Sequence, residues 1–357
     1  MKRETLLKAI ECIMPGVDKA SSPLGMDFLV FDKGWLRSFN DSVSVSFFAE
    51  SPKPIHCAVK AQELYKVLSK MEGDNLRMVV EESRLVIKNP KTTLKMTLME
   101  EKQLGVLKER LGSLDTDNLV WELLPKKFMD GLDLCIPGTK SDPTLGILSG
   151  VGFKENQILS TDNQRVSVYT MGGTMPNEFI LPVEVVGDVV KYARDSNNVA
   201  ITDSWIHFKN PSGLIISTRR MIGEYPFDKI EKVLKDNSSS KETKPYKFPE
   251  GLEKALDRVG ILAEIGDRDI GFLPLVSLSK KGDFLFINGK REAGEIEDKV
   301  EWKDNAMPGE LEIKIAPEFL KKILKVTHEF QIGVNKNCIL FNSPNFKHLM
   351  VAKVEGE

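Results

Sequence analysis

Few side chains in this sequence stand where chemistry is usually done. The histidines, His56, His207, His328 and His348, lie far apart, and none falls in an HExxH or HxxxH frame. No zinc-binding or acid–base pair is indicated by that spacing. His207 and His348 fall on segments that read as strands, where a satisfied structural histidine is the plainer reading. No GxSxG elbow, phosphate-loop or GxGxxG pattern occurs; Gly172–Gly173 reads as a loop and Gly289-Lys290 lacks the upstream glycine spacing. Cys12, Cys57, Cys135 and Cys338 are isolated, with no CxxC pair. That argues against a disulfide framework or zinc ribbon and fits a reducing, cytoplasmic compartment. Asp41 and Asp162 recur in similar turns and could be twin carboxylates, but an Asp in a turn more often bonds its own backbone. The expectation is a protein that is not an enzyme, with no catalytic residue, metal or cofactor.

The charged residues are more informative. Lys66/Lys70 and Lys321/Lys325 stand at i, i+4, each pair on one helical face; Lys126 and Lys127 open another helix, and Lys191 and Arg194 close one. Over the helical windows 2–13, 59–71, 125–136, 182–194, 249–260 and 317–328, Lys plus Arg number 15 and Asp plus Glu 11, whereas the whole chain of 357 residues carries −2. If these helices share one surface, it is basic and can meet phosphates without reading sequence. Few aromatic residues accompany them, so stacking on single strands is not favoured. The near-even overall balance excludes a histone-like binder. No apolar run reaches the ~18 residues of a membrane span, and the N-terminus reads as an amphipathic helix, not a signal peptide. No membrane partner is expected.

The elements that must position these residues repeat. AVKAQELYKVLSKMEGDNLRMVVEESRLVIKNP ends at Pro90, ILPVEVVGDVVKYARDSNNVAITDSWIHFKNP at Pro211, and KIAPEFLKKILKVTHEFQIGVNKNCILFNSP at Pro344. The intervals are 121 and 133 residues, close to a third of the chain. Each begins with a helix, its apolar positions aligning as Leu64, Val67, Leu68; Val186, Val189, Val190; Leu320, Ile323, Leu324. Alternation then predicts a strand (Leu76, Met78, Val80; Val199, Ile201; Phe330, Ile332, Val334), a turn (Glu81–Ser83, Asp203–Ser204, Asn335–Asn337), and two further strands. Ahead of these halves, GWLRSFNDSVSVSF resembles NQILSTDNQRVSVY, with FLFINGKREAGEIEDKV as a diverged third copy. The fold class is α+β: three tandem copies of one domain, each with two helices packed on antiparallel sheets. Residues 100–119 and 235–247 read as linkers, giving domains at 1–118, 119–243 and 244–357.

This organisation resembles the beta sliding clamp of bacterial DNA polymerase III. LSTDNQRVSVY, STRRMIGEYPFDKIEKVL, LEKALDRVGILAE and NFKHLMVAKV are similar to family segments, and the resemblance spans nearly the whole chain. It implies a DNA polymerase processivity factor: a head-to-tail homodimeric ring that encircles double-stranded DNA independently of sequence, with a clamp loader to mount it. Lys19 corresponds to a basic DNA-contacting loop. Ile261 and Leu262 match residues of the dimer contact, with Leu104 and Leu107 on the partner side. A cleft between the second and third domains would accept extended Gln-Leu-type peptides of polymerases and other replication proteins, through Leu148, Thr161, Asn163, Gln164, Arg165, Val166, Pro226, Leu349 and Val351. The family's Gly-His stands here as Asn163-Gln164, and its Met-Pro-Met ending as Val351-Ala352-Lys353. Such departures would suit a phage- or prophage-encoded member with its own peptide preference. The rival expectations are a peptide-binding repeat scaffold that does not encircle DNA and a cytosolic metabolic enzyme with duplicated domains.

Overall fold

The computed structural model describes residues 1–20, 24–49, 55–238, 245–265, 274–303, 310–333 and 337–355. The chain forms two compact units, Met1–Leu124 with Gly187–Arg220, and Pro125–Val186 with Met221–Glu357. Helices and strands are numbered in chain order.

Each unit is built on an antiparallel sheet of eight strands. In the first unit the order is β4 (His56–Lys60), β1 (Phe28–Asp32), β2 (Trp35–Phe39), β3 (Val43–Phe48), β15 (Ile215–Arg219), β14 (Trp205–Lys209), β13 (Asn198–Ile201), β8 (Glu122–Leu123). In the second it is β12 (Phe179–Pro182), β9 (Gly150–Lys154), β10 (Gln157–Thr161), β11 (Arg165–Thr170), β24 (Phe346–Val351), β23 (Cys338–Asn342), β22 (Glu329–Ile332), β16 (Tyr246–Lys247). The two sheets share one plan: β3 pairs with β15 as β11 pairs with β24. Each pairing is a seam where the opening strands of one repeat meet the closing strands of the next.

Two smaller sheets complete the pattern. The first unit holds β5 (Arg77–Glu81), β6 (Arg84–Lys88) and β7 (Thr93–Thr97); the second holds β20 (Gly294–Glu301), β19 (Phe284–Arg291), β18 (Pro274–Lys281), β21 (Glu310–Ile315) and β25 (Lys353–Glu355), with β17 (Glu264–Ile265) paired to β18. The expected strand alternation is only partly observed: Leu76 and Leu85 are buried, but Val80 is exposed at the end of β5. Val334 and most of the Asn335–Asn337 turn lie outside the described residues.

The helices α1 (Arg3–Ile13), α2 (Ala61–Lys70), α4 (Phe128–Cys135), α5 (Val183–Tyr192), α7 (Leu252–Val259) and α8 (Pro317–Leu324) follow the expected periodicity. On α1, Leu6, Ala9, Ile10 and Ile13 form the buried stripe. Val67 is an exception: it stands exposed while Leu64 and Leu68 are buried. A short turn closes the first helix of the first two repeats, Met14–Gly16 and Ile136–Gly138. There Ser38 Oγ donates to Ile13 O at 2.5 Å, and Ser160 Oγ donates likewise to Cys135 O. Gly16 and Gly138 press so closely on these serines that a Cβ would clash. In the third repeat the glycine changes sides: a Cβ on Gly289 of β19 would lie 2.8 Å from Val259 O. The contact persists, with the missing side chain moved from the turn to the strand.

Both supposed linkers begin as helices. Residues Glu101–Gly112 form α3 and Phe227–Ser238 form α6. Their charge density marks an exposed face, but Leu104, Leu107 and Leu111 share the opposite face at i, i+3, i+7. Leu107 and Leu111 are buried with Met26, Val30, Phe39, Ala58 and Trp205, and Leu104 packs against the same cluster. Leu107 is only 1% exposed, so Leu107→Ala should cost about 2–4 kcal/mol by removing buried methyl groups and leaving a cavity. Urea unfolding measures this directly; a midpoint unchanged from the parent would show that α3 is not anchored there.

The paired aspartates also separate. Asp162 Oδ1 accepts from the backbone N–H of Gln164 and Arg165 at 3.0 and 3.1 Å. In the first repeat the same bonds are made by Asn40 Oδ1, from Ser42 and Val43 at 2.9 and 2.7 Å. Asn40, not Asp41, is thus the counterpart of Asp162, and both act as turn residues. Among the described residues no helix is long and apolar enough to cross a membrane.

Candidate functional site

The second seam has two faces of different chemistry. Alternation along β10, β11, β24 and β23 sends Leu159, Val166, Val168, Leu349, Leu340 and Cys338 to the side covered by α6. Across the strands, Leu340 opposes Leu349, Leu349 opposes Val166, and Val166 opposes Thr161. Over this row pack Tyr225, Phe227, Ile230 and Leu234, with Ile147, Leu148 and Met221 at its margin. Tyr225 lies flat because position 152 is glycine; a Cβ there would come within 2.5 Å of the ring. Its hydroxyl donates to Gly150 O at 3.2 Å.

The margin is held by local chemistry. Thr139 Oγ1 donates to Leu148 O. Asp142 accepts from Thr144 N at 2.9 Å and from Thr144 Oγ1 at 2.6 Å, and pairs with Lys140 at 3.2 Å. These bonds, together with Lys140, hold the Asp142 carboxyl below its ordinary range. Gly146, at φ 55°, then turns the chain so that Ile147 and Leu148 reach the cluster.

The opposite face, toward α4, is polar. Ser167 Oγ and His348 Nδ1 lie 2.7 Å apart across the seam, beside Ser160. Burial there pushes the His348 pKa down to about 3, with the Arg165 charge adding to the shift. The imidazole is neutral and structural.

The nine expected cleft residues divide accordingly. Leu148, Thr161, Val166, Leu349 and Val351 stand on the α6 face or its margin, and Pro226 lies between Tyr225 and Phe227 of the cluster. Asn163, with φ 69°, and Gln164 are exposed at the β10–β11 turn. Arg165 does not join them: alternation turns it to the other face, where Nε donates to Asp162 Oδ2 at 2.9 Å. Three apolar residues escaped the sequence reading, Ile147, Met221 and Ile222. Ile222 is 81% exposed and Val351 58% exposed. The signal for Met221 and Ile222 was present in STRRMIGEYP, as an apolar pair between a charged strand end and a turn.

The cationic residues are distributed over the helices and a loop. Lys19, Lys66, Lys70, Lys126, Lys127, Lys191, Arg194 and Lys325 are exposed. Lys126 and Lys127 precede α4 rather than open it, and Lys127 has left-handed backbone, φ 63°. Lys191 donates to the Tyr192 hydroxyl at 2.9 Å. Lys321 is committed locally: Nζ lies 2.8 Å from Asp257 Oδ1 and 2.6 Å from Glu318 Oε1, and these carboxylates raise its pKa. It adds little net field. Lys8 of α1, absent from the expected set, is also exposed.

Of the four apolar residues expected at a subunit contact, Ile261 is 71% exposed. Arg291 Nη1 donates to its carbonyl at 3.2 Å, fixing the turn that presents it. Leu262 and Leu104 are half-buried, and Leu107 lies within its own unit's core. Val106, on the solvent side of α3, is the exposed apolar residue of that helix. No group of His, Cys, Asp and Glu suited to hold a metal occurs among the described residues.

No protein-family model matches the sequence, and no curated protein sequence does. Solved structures match over almost the entire length. The DnaN sliding clamp (DNA polymerase III subunit beta) from Pseudomonas aeruginosa bound to griselimycin superposes with a TM-score of 0.70 at 15% identity, covering 99% of this chain and 98% of that one. The chain has a sliding-clamp fold. The beta clamp of Helicobacter pylori in complex with 3,4-difluorobenzamide gives 0.71 at 14% identity, covering 99% of both chains. The DNA polymerase sliding clamp of Bacillus subtilis gives 0.67 at 16%, covering 99% and 98%. The sliding-clamp fold is therefore kept while about five residues in six differ.

Proposed function

We propose that this chain is a DNA polymerase processivity clamp: three domains, at 1–118, 119–243 and 244–357, that close with a second copy into a ring around duplex DNA. One observation carries the reading. Two seams join consecutive repeats within the chain, β3 to β15 and β11 to β24. Among the described residues the third seam has both its halves but no pairing: β7 ends one sheet and β20 ends another. By position β7 corresponds to β15 and β24, and β20 to β3 and β11. An unpaired strand edge is a template for another strand, and head-to-tail pairing of β20 with β7 of a second copy, made twice, closes a ring. Charge supports the match. β20 bears Glu295, Glu297, Asp298 and Glu301 against Lys299, while Lys95 stands on β7 with Arg84 and Lys88 on β6. Ile261 lies on the exposed turn beside this edge.

The exposed lysines of the helical layer would meet phosphates diffusely, which suits sliding. The apolar margin of the second seam, where Ile222, Val351, Asn163 and Gln164 are exposed, would suit docking of an extended Gln-Leu-type peptide from a polymerase or another replication partner. A loader would open the ring, and the protein would work in the cytoplasm.

Solution mass by light scattering, followed by retention on nicked circular and linearised DNA after loading, tests the reading. A mass near twice 40.1 kDa, retained on circles and lost from free ends, is expected. A monomer refutes the ring, and a dimer indifferent to DNA topology favours the peptide-binding scaffold. Ile261→Asp should weaken dimerisation at least about tenfold by placing a charge in an apolar contact; an unchanged dimer dissociation constant would exclude that contact.

A further inference from the structure

The two seams within the chain are equivalent, yet their surfaces differ. In the first unit the row that matches Leu340–Leu349–Val166–Thr161 is His207–Ser217–Ser44–Phe39. Trp205 opposes Arg219 there, as Cys338 opposes Val351 in the second unit. Met99 N donates to Ala58 O as Met221 N donates to Ile180 O, so Glu100 takes the place of Ile222.

These exchanges close the first seam. His207 Nδ1 and Ser217 Oγ satisfy each other at 2.7 Å where the second seam has two leucines. Phe39 and Trp205, their ring centroids 6.0 Å apart, fill the space above. Both belong to the cluster closed by Leu107, Leu111 and Leu114. The Arg219 guanidinium lies over the Trp205 ring at 4.4 Å, a cation–π lid. Arg219 Nε also donates to Asp41 O at 3.2 Å, and Arg110 Nη1 lies 3.3 Å from Asp41 Oδ1. Where the second seam shows Ile222 and Val351 to solvent, the first shows Glu100 and Arg219.

We propose that the first seam is a second copy of the docking cleft held permanently closed by its own side chains, with Trp205 as the internal occupant and Arg219 as its lid. Each chain thereby offers one docking cleft although its fold supplies two seams. The inference rests on the peptide-cleft reading above for the ligand class, but the closure itself is a property of the first unit.

Two variants test it. Transplanting the second seam's residues, Glu100→Ile with Trp205→Cys and Arg219→Val, should raise the number of sites for a Gln-Leu-containing hexapeptide from one to two per chain, counted by calorimetry. Trp205→Ala should create a niche that benzene fills, raising the melting temperature of this variant and not of the parent. Two peptide sites in the parent would overturn the proposal, as would a folded triple variant with one site together with no benzene effect in Trp205→Ala. A parent that binds no peptide refutes the cleft reading instead, and the benzene result then decides the closure. Should both variants fail to fold, Arg219→Val leaves the core intact. Acrylamide quenching of Trp205, isolated by difference against Trp205→Phe, should increase at least about twofold when the lid is removed; unchanged quenching overturns the proposal.

Discussion

A chain carrying Ile222→Asp and Val351→Asp should bind a Gln-Leu-type peptide about 100-fold more weakly than the parent, with its melting temperature nearly unchanged. Both side chains are largely exposed, 81% and 58%, so the folded core barely notices them. A docked apolar side chain would cover them, and covering each is worth about 1.5 kcal/mol or more. Together they supply about 3 kcal/mol, which is about two decades in Kd. Fluorescence anisotropy with a labelled peptide reads the effect. Affinity within about threefold of the parent would place the docking surface elsewhere.

Acid should destabilise both units through their two buried histidines. Burial lowers the His207 pKa to about 4, and burial with the Arg165 charge lowers that of His348 to about 3, from an ordinary 6.5. The unfolded chain therefore takes up these protons first. Stability is complete above about pH 6.5 and falls as pH descends toward 4 and then 3, by up to about 1.4 kcal/mol per pH unit for each histidine. Urea midpoints at pH 7.5, 6.0 and 5.0 should drop progressively, and His348→Phe should lessen the slope. A flat profile between pH 7 and 5 would mean that both imidazoles reach water when protonated.

The sequence revealed the repeat because helix stripes and strand alternation are local signals. Leu6, Ala9, Ile10 and Ile13 on α1, and Leu320, Ile323 and Leu324 on α8, are buried as their spacing requires. What stayed hidden depends on partners distant in sequence. α3 reads as a linker because its many charges outweigh three leucines, and only Met26, Ala58 and Trp205 show why those leucines matter. The Ser38–Gly16 and Ser160–Gly138 contacts relate the first two repeats more sharply than the aspartates did, but serine and glycine carry no periodicity. The family resemblance puts Arg165 in the cleft with Asn163 and Gln164. The pleat turns it to the opposite face, where the Asp162 carboxylate holds it. Ile222 reads in sequence as an ordinary apolar residue, and although Val351 belongs to the expected cleft set, its pattern gives no sign that it is 58% exposed.

The repeats and the compact units do not coincide. Each eight-stranded sheet is completed by strands from two repeats, and the middle repeat contributes β9–β12 to one unit and β13–β15 to the other. A fragment cut at the repeat boundaries would therefore carry half of a sheet with its seam bare. The repeat is then not the unit of cooperative unfolding. A ribosome must release parts of two repeats before either sheet can be finished. During synthesis β1–β4 must wait for β15, more than 150 residues later, and β9–β12 must wait for β24, slightly farther behind. Both contacts are long-range, so the seams are where slow folding and premature edge-to-edge association are concentrated.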